Sequence, residues 1–340
     1  MLDELPVVSH VDAESVDEAV SWLTRYGERA VPLAGGTDLL GLMKDGIGGP
    51  RMPMPEVLVN IKTIPELARL DMSPAGRLRI GATVTLSDLE RDALVTEVYP
   101  ALAAAAASVA TTQIRAVGTV GGNLCQRPWC WYFRHPRFEC FKRGGRQCFA
   151  IPGNNRTYFG VLGRGICVMT HPSDLAPALV ALDARVTIAG PDGVREVALE
   201  RFFEGPRSVK ETVLSPNEIV TWVDVLRPVA TTRSIFLKHR IRGSWDFALV
   251  SVAAAVTVGD GDCVDARIVL GGVAPYPFRA PAAEAQLRGR GLTSDTIEHA
   301  TDAVLAAARP LSMNGYKIDV TRALMRRALA GLADGRAVIQ

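Results

Sequence analysis

The first two thirds of the chain combine segments with the apolar period of a helix and short apolar runs that are typical of strands. Apolar residues recur at helical spacing after Ser15, and Glu18 follows Ser15 at the distance of a capping box. Glycine, proline and other turn residues bound the apolar runs, which indicates strands. The predicted strands are residues 30–34, 57–61, 78–84, 184–188 and 219–225. Strands and helices joined by short connections predict α/β subdomains in this part of the chain.

The pattern weakens near residues 228–232, and we place a domain boundary there. Beyond it, three predicted strands precede three predicted helices, which is typical of an α+β domain. The segment Gly259-Asp260-Gly261-Asp262 predicts a hairpin turn between the second and third of these strands. The strands are predicted at 235–239, 247–258 and 266–270, and the helices at 281–287, 294–308 and 319–332. The sequence therefore predicts two domains, residues 1–229 and residues 230–340.

Charge and hydropathy exclude several classes of function. The 340 residues carry a net charge of +2, which gives no overall electrostatic reason to bind nucleic acid or a membrane surface. The most apolar runs, at 101–110 and 247–258, are shorter than the roughly 20 residues that a membrane-spanning helix requires. Asp3 and Glu4 stand where a signal peptide would be positively charged. We therefore expect a soluble protein without a signal peptide of its own.

Two glycine-rich turns are the first candidates for chemistry. Gly35-Gly36-Thr37-Asp38 follows a predicted strand, and the second turn runs from Gly118 to Asn123 after a helix of small residues. Glycine lets the backbone approach a ligand closely, and turns that lead into a helix offer backbone N–H groups to a phosphate. Two such turns suit a ligand with two phosphates better than one turn does. A single glycine pair would also fit an ordinary tight turn.

Cysteines are the second candidates, and five of the six lie between residues 110 and 183. They are Cys125, Cys130, Cys140, Cys148 and Cys167. The last four are separated by nine, seven and eighteen residues, which is not the paired spacing of zinc ribbons or small ferredoxins. The spacing alone therefore identifies no metal.

The surroundings of these cysteines are dry and positively charged. Aromatic residues stand at 129, 131–133, 138 and 141, and basic residues at 127, 134, 137, 142, 143 and 146, against the single acid Glu139. An anionic cluster of four thiolates needs both shielding and positive charge, and soft thiolates select zinc or iron–sulfur. The residues leave three alternatives open: an iron–sulfur cluster, a zinc ion, or buried or disulfide-bonded cysteines without metal.

Three motifs together resemble a known family. They are Ala-Gly-Gly-Thr-Asp-Leu-Leu at 34–40, Gly-Thr-Val-Gly-Gly-Asn-Leu at 118–124 and Ser-Asp-Leu-Ala-Pro-Ala-Leu at 173–179. In this order they resemble the FAD-binding medium subunit of molybdenum hydroxylases, the group of xanthine dehydrogenase, carbon monoxide dehydrogenase and aldehyde oxidoreductase. The resemblance covers nearly the whole chain, including Lys238-His239-Arg240.

The cysteine stretch resembles an insertion that a minority of this family carries. Its sequence is similar to the [4Fe–4S] insertion of periplasmic aldehyde oxidoreductase medium subunits, and 4-hydroxybenzoyl-CoA reductase carries a related one. The resemblance implies a [4Fe–4S] cluster on Cys130, Cys140, Cys148 and Cys167, in an insertion at about residues 125–168. Cys125 lies outside this match, and we expect a buried thiol there, although its closeness to Cys130 keeps a ligand role open.

The family also implies a fold and a set of FAD contacts. The expected fold is α+β with α/β subdomains: a two-subdomain FAD-binding fold of the vanillyl-alcohol-oxidase (PCMH) type, then a C-terminal α+β domain with a three-stranded antiparallel sheet and helices. The glycine turns are expected to cradle the diphosphate. The expected cofactor-binding residues are Leu33, Ala34, Gly35, Gly36, Thr37, Asp38, Leu39, Leu40, Thr111, Gly118, Thr119, Gly121, Gly122, Asn123, Asp174, Val220 and Lys238.

The function implied by the resemblance is electron transfer within a heterotrimeric molybdenum hydroxylase of the aldehyde oxidoreductase type. Electrons would pass from the molybdenum cofactor of a large subunit, through [2Fe–2S] clusters of a small subunit, to FAD and an external acceptor. No acid or base of this chain is expected to be catalytic. The compartment would be the cytoplasm or, by export with a signal-bearing partner, the periplasm. The alternatives are a stand-alone flavin oxidoreductase of the same fold and a zinc-stapled, non-catalytic subunit.

Overall fold

A computed structural model of the chain describes residues 6–335. The acidic N-terminus that argued against a signal peptide, residues 1–5, and the last part of the predicted second domain, residues 336–340, lie outside the described residues.

The described part of the chain contains twelve strands in three sheets. They are β1 (Ser9–Asp12), β2 (Ala30–Leu33), β3 (Val57–Asn60), β4 (Leu70–Met72), β5 (Arg77–Gly81), β6 (Arg185–Gly190), β7 (Gly193–Ala198), β8 (Ile219–Leu226), β9 (Thr232–His239), β10 (Val250–Gly259), β11 (Asp262–Gly271) and β12 (Phe278–Arg279).

Twelve α-helices connect and cover these strands within residues 6–335. They are α1 (Val16–Tyr26), α2 (Leu39–Lys44), α3 (Leu86–Arg91), α4 (Ala93–Val98), α5 (Pro100–Ala107), α6 (Thr112–Val117), α7 (Val120–Leu124), α8 (Leu175–Ala181), α9 (Leu199–Phe202), α10 (Pro281–Leu287), α11 (Ser294–Leu305) and α12 (Tyr316–Asp334). Across residues 6–335, no helix combines the length and apolar composition that crossing a bilayer requires.

The first sheet is parallel, in the order β1-β3-β2, and α1 packs against it. Ser15 caps α1 as predicted, because its side chain accepts a hydrogen bond from the Glu18 N–H at 3.2 Å. The apolar stripe of α1 buries Leu23 against the sheet residues Val57 and Val59. This sheet has the parallel pairing of an α/β unit, and β2 leads from it directly into the first glycine turn.

The second sheet has five strands in the order β4-β5-β8-β6-β7, and every pairing in it is antiparallel. Helices α3, α5 and α8 contribute to one apolar core with the inward faces of β5, β6 and β8. The parallel arrangement is therefore confined to the first sheet. The second glycine turn lies beside this core, between α6 and α8 in the chain.

The C-terminal sheet is antiparallel, in the order β12-β11-β10-β9. The three predicted strands and the hairpin turn after Gly259 are confirmed, and the two-residue strand β12 adds a fourth strand that the sequence pattern did not indicate. Alternate residues of β9 face opposite sides: Ile235 and Leu237 join the core beneath α10–α12, whereas Phe236 joins the core of the second sheet. The two predicted domains thus pack through a shared apolar layer.

The cysteine stretch lies between α7 and α8 and has almost no regular structure. Its only helical piece among the described residues is a 3₁₀ turn, Phe141–Arg143. It has an apolar core of its own, in which Phe133 and Phe159 are fully buried beside Leu42 of α2. This core places the insertion directly behind the first glycine turn.

Lys317 is a fully buried amine near the start of α12. Its ammonium donates to the carbonyl oxygens of Phe159, at 3.0 Å, and Gly272, at 2.7 Å. Burial lowers the pKa of Lys317 to about 7. The residue joins the cysteine insertion to the C-terminal domain, and burial makes its positive charge costly.

We expect the variant Lys317→Met to change how stability depends on pH. An unfolded chain holds the lysine proton up to its ordinary pKa of about 10.4, whereas the folded chain releases it near pH 7. The free energy of unfolding of the wild type should therefore rise relative to that of the variant above pH 7, by up to about 1.4 kcal/mol per pH unit. Below pH 7 the difference should be constant.

Denaturant unfolding of both proteins between pH 6 and 9 measures this difference. The variant Lys62→Met, at an exposed lysine, controls for the removal of a lysine as such. A difference between wild type and Lys317→Met that does not change over this range would show that the buried amine is not the titrating group.

Candidate functional site

The two glycine turns touch each other through their backbones. A Cβ atom placed on Gly35 would lie 2.3 Å from the carbonyl oxygen of Val117 and 2.9 Å from the Cα of Gly118. No side chain fits in that space, so glycine at position 35 is what allows the turns to meet. Gly36 adds a backbone φ of +69°, which only glycine adopts without strain.

The second turn is a short helix rather than an open loop. Thr119 caps α7, because its hydroxyl accepts from the Gly122 N–H at 3.2 Å. The Gly121 N–H donates to the carbonyl oxygen of Ala82 at 2.9 Å, and a Cβ on Gly121 would lie 3.0 Å from that oxygen. Glycine here serves the packing of α7 against the segment after β5.

A cavity of about 530 Å³ lies along both turns. Cofactor and ligand sites typically enclose about 300–1,000 Å³. Thirteen of the predicted cofactor-binding residues line it: Leu33, Ala34, Gly35, Gly36, Thr37, Asp38, Leu39, Gly118, Thr119, Gly121, Gly122, Asn123 and Val220. Val31, Ile61 and Ile219 are further apolar residues of the lining. We call this cavity the flavin cleft from here on.

Four predicted cofactor-binding residues lie outside the lining of the flavin cleft. Leu40 is 38% exposed, and Thr111 caps α6 by accepting from the Ile114 N–H. Asp174 and Lys238 pair with each other at 2.6 Å, both almost fully buried, and the Lys238 ammonium also donates to the carbonyl oxygen of Ser108.

The ion pair of Asp174 and Lys238 joins the start of α8 to the end of β9. Burial raises the pKa of Asp174, and the positive charge of Lys238 opposes that shift. The pair therefore ties the C-terminal sheet to the flavin-binding part of the chain. A direct contact of either residue with FAD stays a prediction.

Several lining residues were missed by the sequence analysis. Arg51, Met52 and Pro53 line the cleft, as do Cys125, Gln126 and Arg127, and so do residues 210–212 and 214–216. Positive charge was the one signal in the sequence that could have singled out Arg51, Arg127 and Lys210 as lining residues of a cleft for a phosphate-containing ligand. A cleft lined by two glycine turns, by basic residues and by apolar residues fits a dinucleotide such as FAD.

The four cysteines of the predicted cluster converge on a second, much smaller cavity of about 20 Å³. Its lining is Pro128, Cys130, Tyr132, Phe133, Cys140, Lys142, Cys148, Phe149, Ala150, Phe159, Cys167, Val168 and Met169. We call it the cysteine cavity. Cys125 lies elsewhere, in the lining of the flavin cleft. The fold therefore brings together residues that are 37 positions apart in the chain, from 130 to 167.

Hydrogen bonding by backbone N–H groups lowers the pKa of three of the four thiols. These groups belong to Lys142 and Arg143 for Cys140, to Tyr132 and Phe133 for Cys130, and to Met169 for Cys167. Such hydrogen bonds favour the thiolate form that binds metals.

Without metal, burial outweighs these hydrogen bonds. It raises the pKa of the Cys130 thiol to about 12 and that of the Cys167 thiol to about 11. Metal binding would therefore release protons from this site. Among residues 6–335, no group of three or more histidine, cysteine, aspartate or glutamate side chains is arranged to hold a single metal ion. Four sulfurs in an aromatic pocket are the kind of donors that iron–sulfur clusters use, and a cluster at this site stays a prediction.

Two acids of the flavin cleft bind the basic residues of the insertion. Asp38 accepts from the Arg127 N–H at 2.9 Å and pairs with the guanidinium of Arg134. Glu211 pairs with Arg127 at 3.0 Å and with the ammonium of Lys142 at 3.1 Å. Part of the positive charge that the sequence placed around the cysteines is thus neutralised by acids of the neighbouring cleft.

Two protein families match the chain. Residues 7–226 match the FAD binding domain in molybdopterin dehydrogenase, and residues 236–332 match the CO dehydrogenase flavoprotein C-terminal domain. The chain is also similar to a carbon monoxide dehydrogenase structure from Hydrogenophaga pseudoflava that lacks the Mo-pyranopterin moiety of the molybdenum cofactor. That likeness has a TM-score of 0.78 at 28% identity, over 98% of this chain and 100% of that one.

Curated relatives indicate the same family. The aldehyde oxidoreductase FAD-binding subunit PaoB of Escherichia coli K12 is 38% identical over 90% of this chain and 91% of its own length. The xanthine dehydrogenase FAD-binding subunit of Escherichia coli O157:H7 is 28% identical over 89% and 87%. With the flavin cleft described above, these matches show that the chain belongs to the FAD-binding medium subunits of the molybdenum hydroxylase family.

Proposed function

We propose that this chain is the FAD-containing electron-transfer subunit of a heterotrimeric molybdenum hydroxylase that oxidises aldehydes. The observation that supports electron transfer most directly is the flavin cleft, which the two touching glycine turns build in a chain of this family. The aldehyde class rests on the 38% identical relative. The proposed domains are residues 1–229, for FAD, and residues 230–340.

FAD, when bound, supplies the chemistry of taking up electrons and passing them on. The residues of this chain supply position and electrostatics. The glycine turns present backbone groups at close range, Arg51 and Arg127 bring positive charge to the cleft, and Val220 belongs to its apolar wall. We assign no general acid or base to this chain, because its proposed role is electron transfer.

We further propose that Cys130, Cys140, Cys148 and Cys167 hold a [4Fe–4S] cluster. Support comes from their convergence on the cysteine cavity, from the backbone N–H groups that lower the pKa of three of the thiols, and from Lys142 in the lining. The proposed partners are a large subunit with the molybdenum cofactor and a small subunit with [2Fe–2S] clusters, together with an external electron acceptor. The compartment, cytoplasm or periplasm, stays a prediction.

The first test concerns the contact between the glycine turns. In the variant Gly35→Ala, the new Cβ would lie 2.3 Å from the carbonyl oxygen of Val117, so the turns must separate by about 1 Å to reach ordinary contact. We expect FAD binding to weaken by at least about tenfold, equivalent to about 1.4 kcal/mol. Flavin fluorescence during titration of the apoprotein measures the dissociation constant.

Gly41→Ala is the matched control, because a Cβ on Gly41, in the middle of α2, meets no atom within 4 Å. This variant should keep the wild-type affinity for FAD and a folded state at least as stable. Equal affinities in both variants would contradict the role assigned to the contact.

The second test concerns the cysteine cavity. Anaerobically purified wild-type protein should contain about four irons per chain. Cys140→Ser should lose the iron and the broad visible absorbance of the cluster, because one thiolate ligand is gone. Cys263→Ser, in the C-terminal domain, and Cys125→Ser, in the flavin cleft, should keep both. Full iron content in Cys140→Ser would refute the ligand assignment, and loss of iron in Cys125→Ser would make Cys125 a ligand.

The third test concerns the partners. The chain, purified from its native cells under mild conditions, should bring with it a large chain that contains the molybdenum cofactor and a small chain with [2Fe–2S] clusters. Mass spectrometry of the complex and analysis of its cofactors identify them. Turnover of a substrate by the isolated chain would instead favour a stand-alone flavoenzyme, and a colourless chain that contains zinc would favour a non-catalytic subunit.

A further inference from the structure

One buried ion pair forms a direct contact between the flavin cleft and the cysteine cavity. Lys142 lines the cysteine cavity, and Glu211 lines the flavin cleft. The Lys142 ammonium lies 3.1 Å from the Glu211 Oε1, and the side chains are only 3% and 5% exposed. The fold therefore places one cation and one anion, both shielded from solvent, in the wall between two sites that are proposed to carry electrons.

The local structure fixes both members of this pair. Lys142 lies in the 3₁₀ turn that follows Cys140, and its ammonium also donates to the carbonyl oxygen of Val209. The second carboxylate oxygen of Glu211 pairs with Arg127, 3.0 Å away. The pair therefore has little freedom to turn away from either cavity.

Solvent screens neither charge of this pair, because both side chains are almost fully buried. In a buried and weakly polarisable environment a unit charge acts over longer distances than in water. Each electron that arrives in either cavity adds negative charge there. A nearby cation stabilises this added charge and a nearby anion opposes it.

We propose that the Lys142–Glu211 ion pair is a shared electrostatic element that sets the reduction potentials of the flavin and the iron–sulfur cluster together. The inference rests on the proposed function, because it requires both cofactors in their cavities. It makes Lys142 and Glu211 positioning residues for electron transfer. Neither is a ligand of the cluster.

The proposal predicts opposite effects for the two halves of the pair. Lys142→Met removes the cation and should shift both reduction potentials to more negative values. Glu211→Gln removes the anion while keeping the shape of the side chain, and should shift both to more positive values. Loss of packing alone has no reason to give opposite signs in the two variants. Lys142→Arg keeps the charge and should stay close to the wild type.

The experiment uses the complete complex, with iron and flavin content determined for every variant. Anaerobic redox titrations, followed by visible absorbance for the flavin and by EPR for the cluster, give both potentials. Lys62→Met is the matched control, because it removes an exposed lysine charge that lines neither cavity. The cluster potential in this control should equal that of the wild type.

The possible failures are distinguishable. Wild-type complex without iron would overturn the cluster assignment, and this inference with it. Normal iron and flavin content with unchanged potentials, or with shifts of the same sign in Lys142→Met and Glu211→Gln, would overturn the inference and leave the proposed function standing. If the complex with Lys142→Met does not assemble, two other variants test the inference. Positive shifts of both potentials in Glu211→Gln with wild-type potentials in Lys142→Arg support it, and unchanged potentials in Glu211→Gln overturn it.

Discussion

The flavin cleft depends on one steric constraint, the absence of side chains where its two turns meet. Gly35 leaves the parallel sheet at the end of β2, and Gly118 lies between α6 and α7, beside the core of the antiparallel sheet. The contact of the two backbones brings the separate sheets to one cavity. A single methyl group at position 35 would separate the two backbones. The cleft therefore depends on the two glycines that are in contact where the turns meet.

Ion pairs attach the cysteine insertion to this cleft. Its basic residues Arg134, Arg127 and Lys142 reach the carboxylates of Asp38 and Glu211, which line the cleft. Removing one member of a buried pair leaves an uncompensated charge that typically costs about 3–5 kcal/mol. The insertion and the cleft are therefore held in a fixed arrangement, although the insertion has almost no regular structure of its own.

The sequence predicted features whose signals are local. The glycine turns and the strands of the C-terminal sheet each have a short pattern of their own, whereas the grouping of the four cysteines followed from the family resemblance. It did not predict that residues 210–212 and 214–216 line the cleft, because only long-range packing brings them there. It also placed Asp174 and Lys238 on the cofactor by resemblance. The structure pairs them with each other, and their contact with FAD stays a prediction. The sequence analysis missed helix α7, because three glycines within seven residues disfavour a helix. In the structure, the Thr119 cap and tertiary contacts override that preference.

The boundary near residue 230 separates two domains in the sequence but does not separate their cores. Phe236 packs into the flavin-binding part while its neighbours face α10–α12, and Lys238 reaches Asp174 across the same interface. From the other side, Lys317 of α12 binds the carbonyl oxygen of Phe159, between the third and fourth predicted cluster cysteines. The C-terminal domain thus holds the far end of the insertion, just as Asp38 and Glu211 hold its near end. The cysteine cavity is consequently fixed by both domains, which explains how a stretch with a single short helical turn can hold four sulfurs in one place.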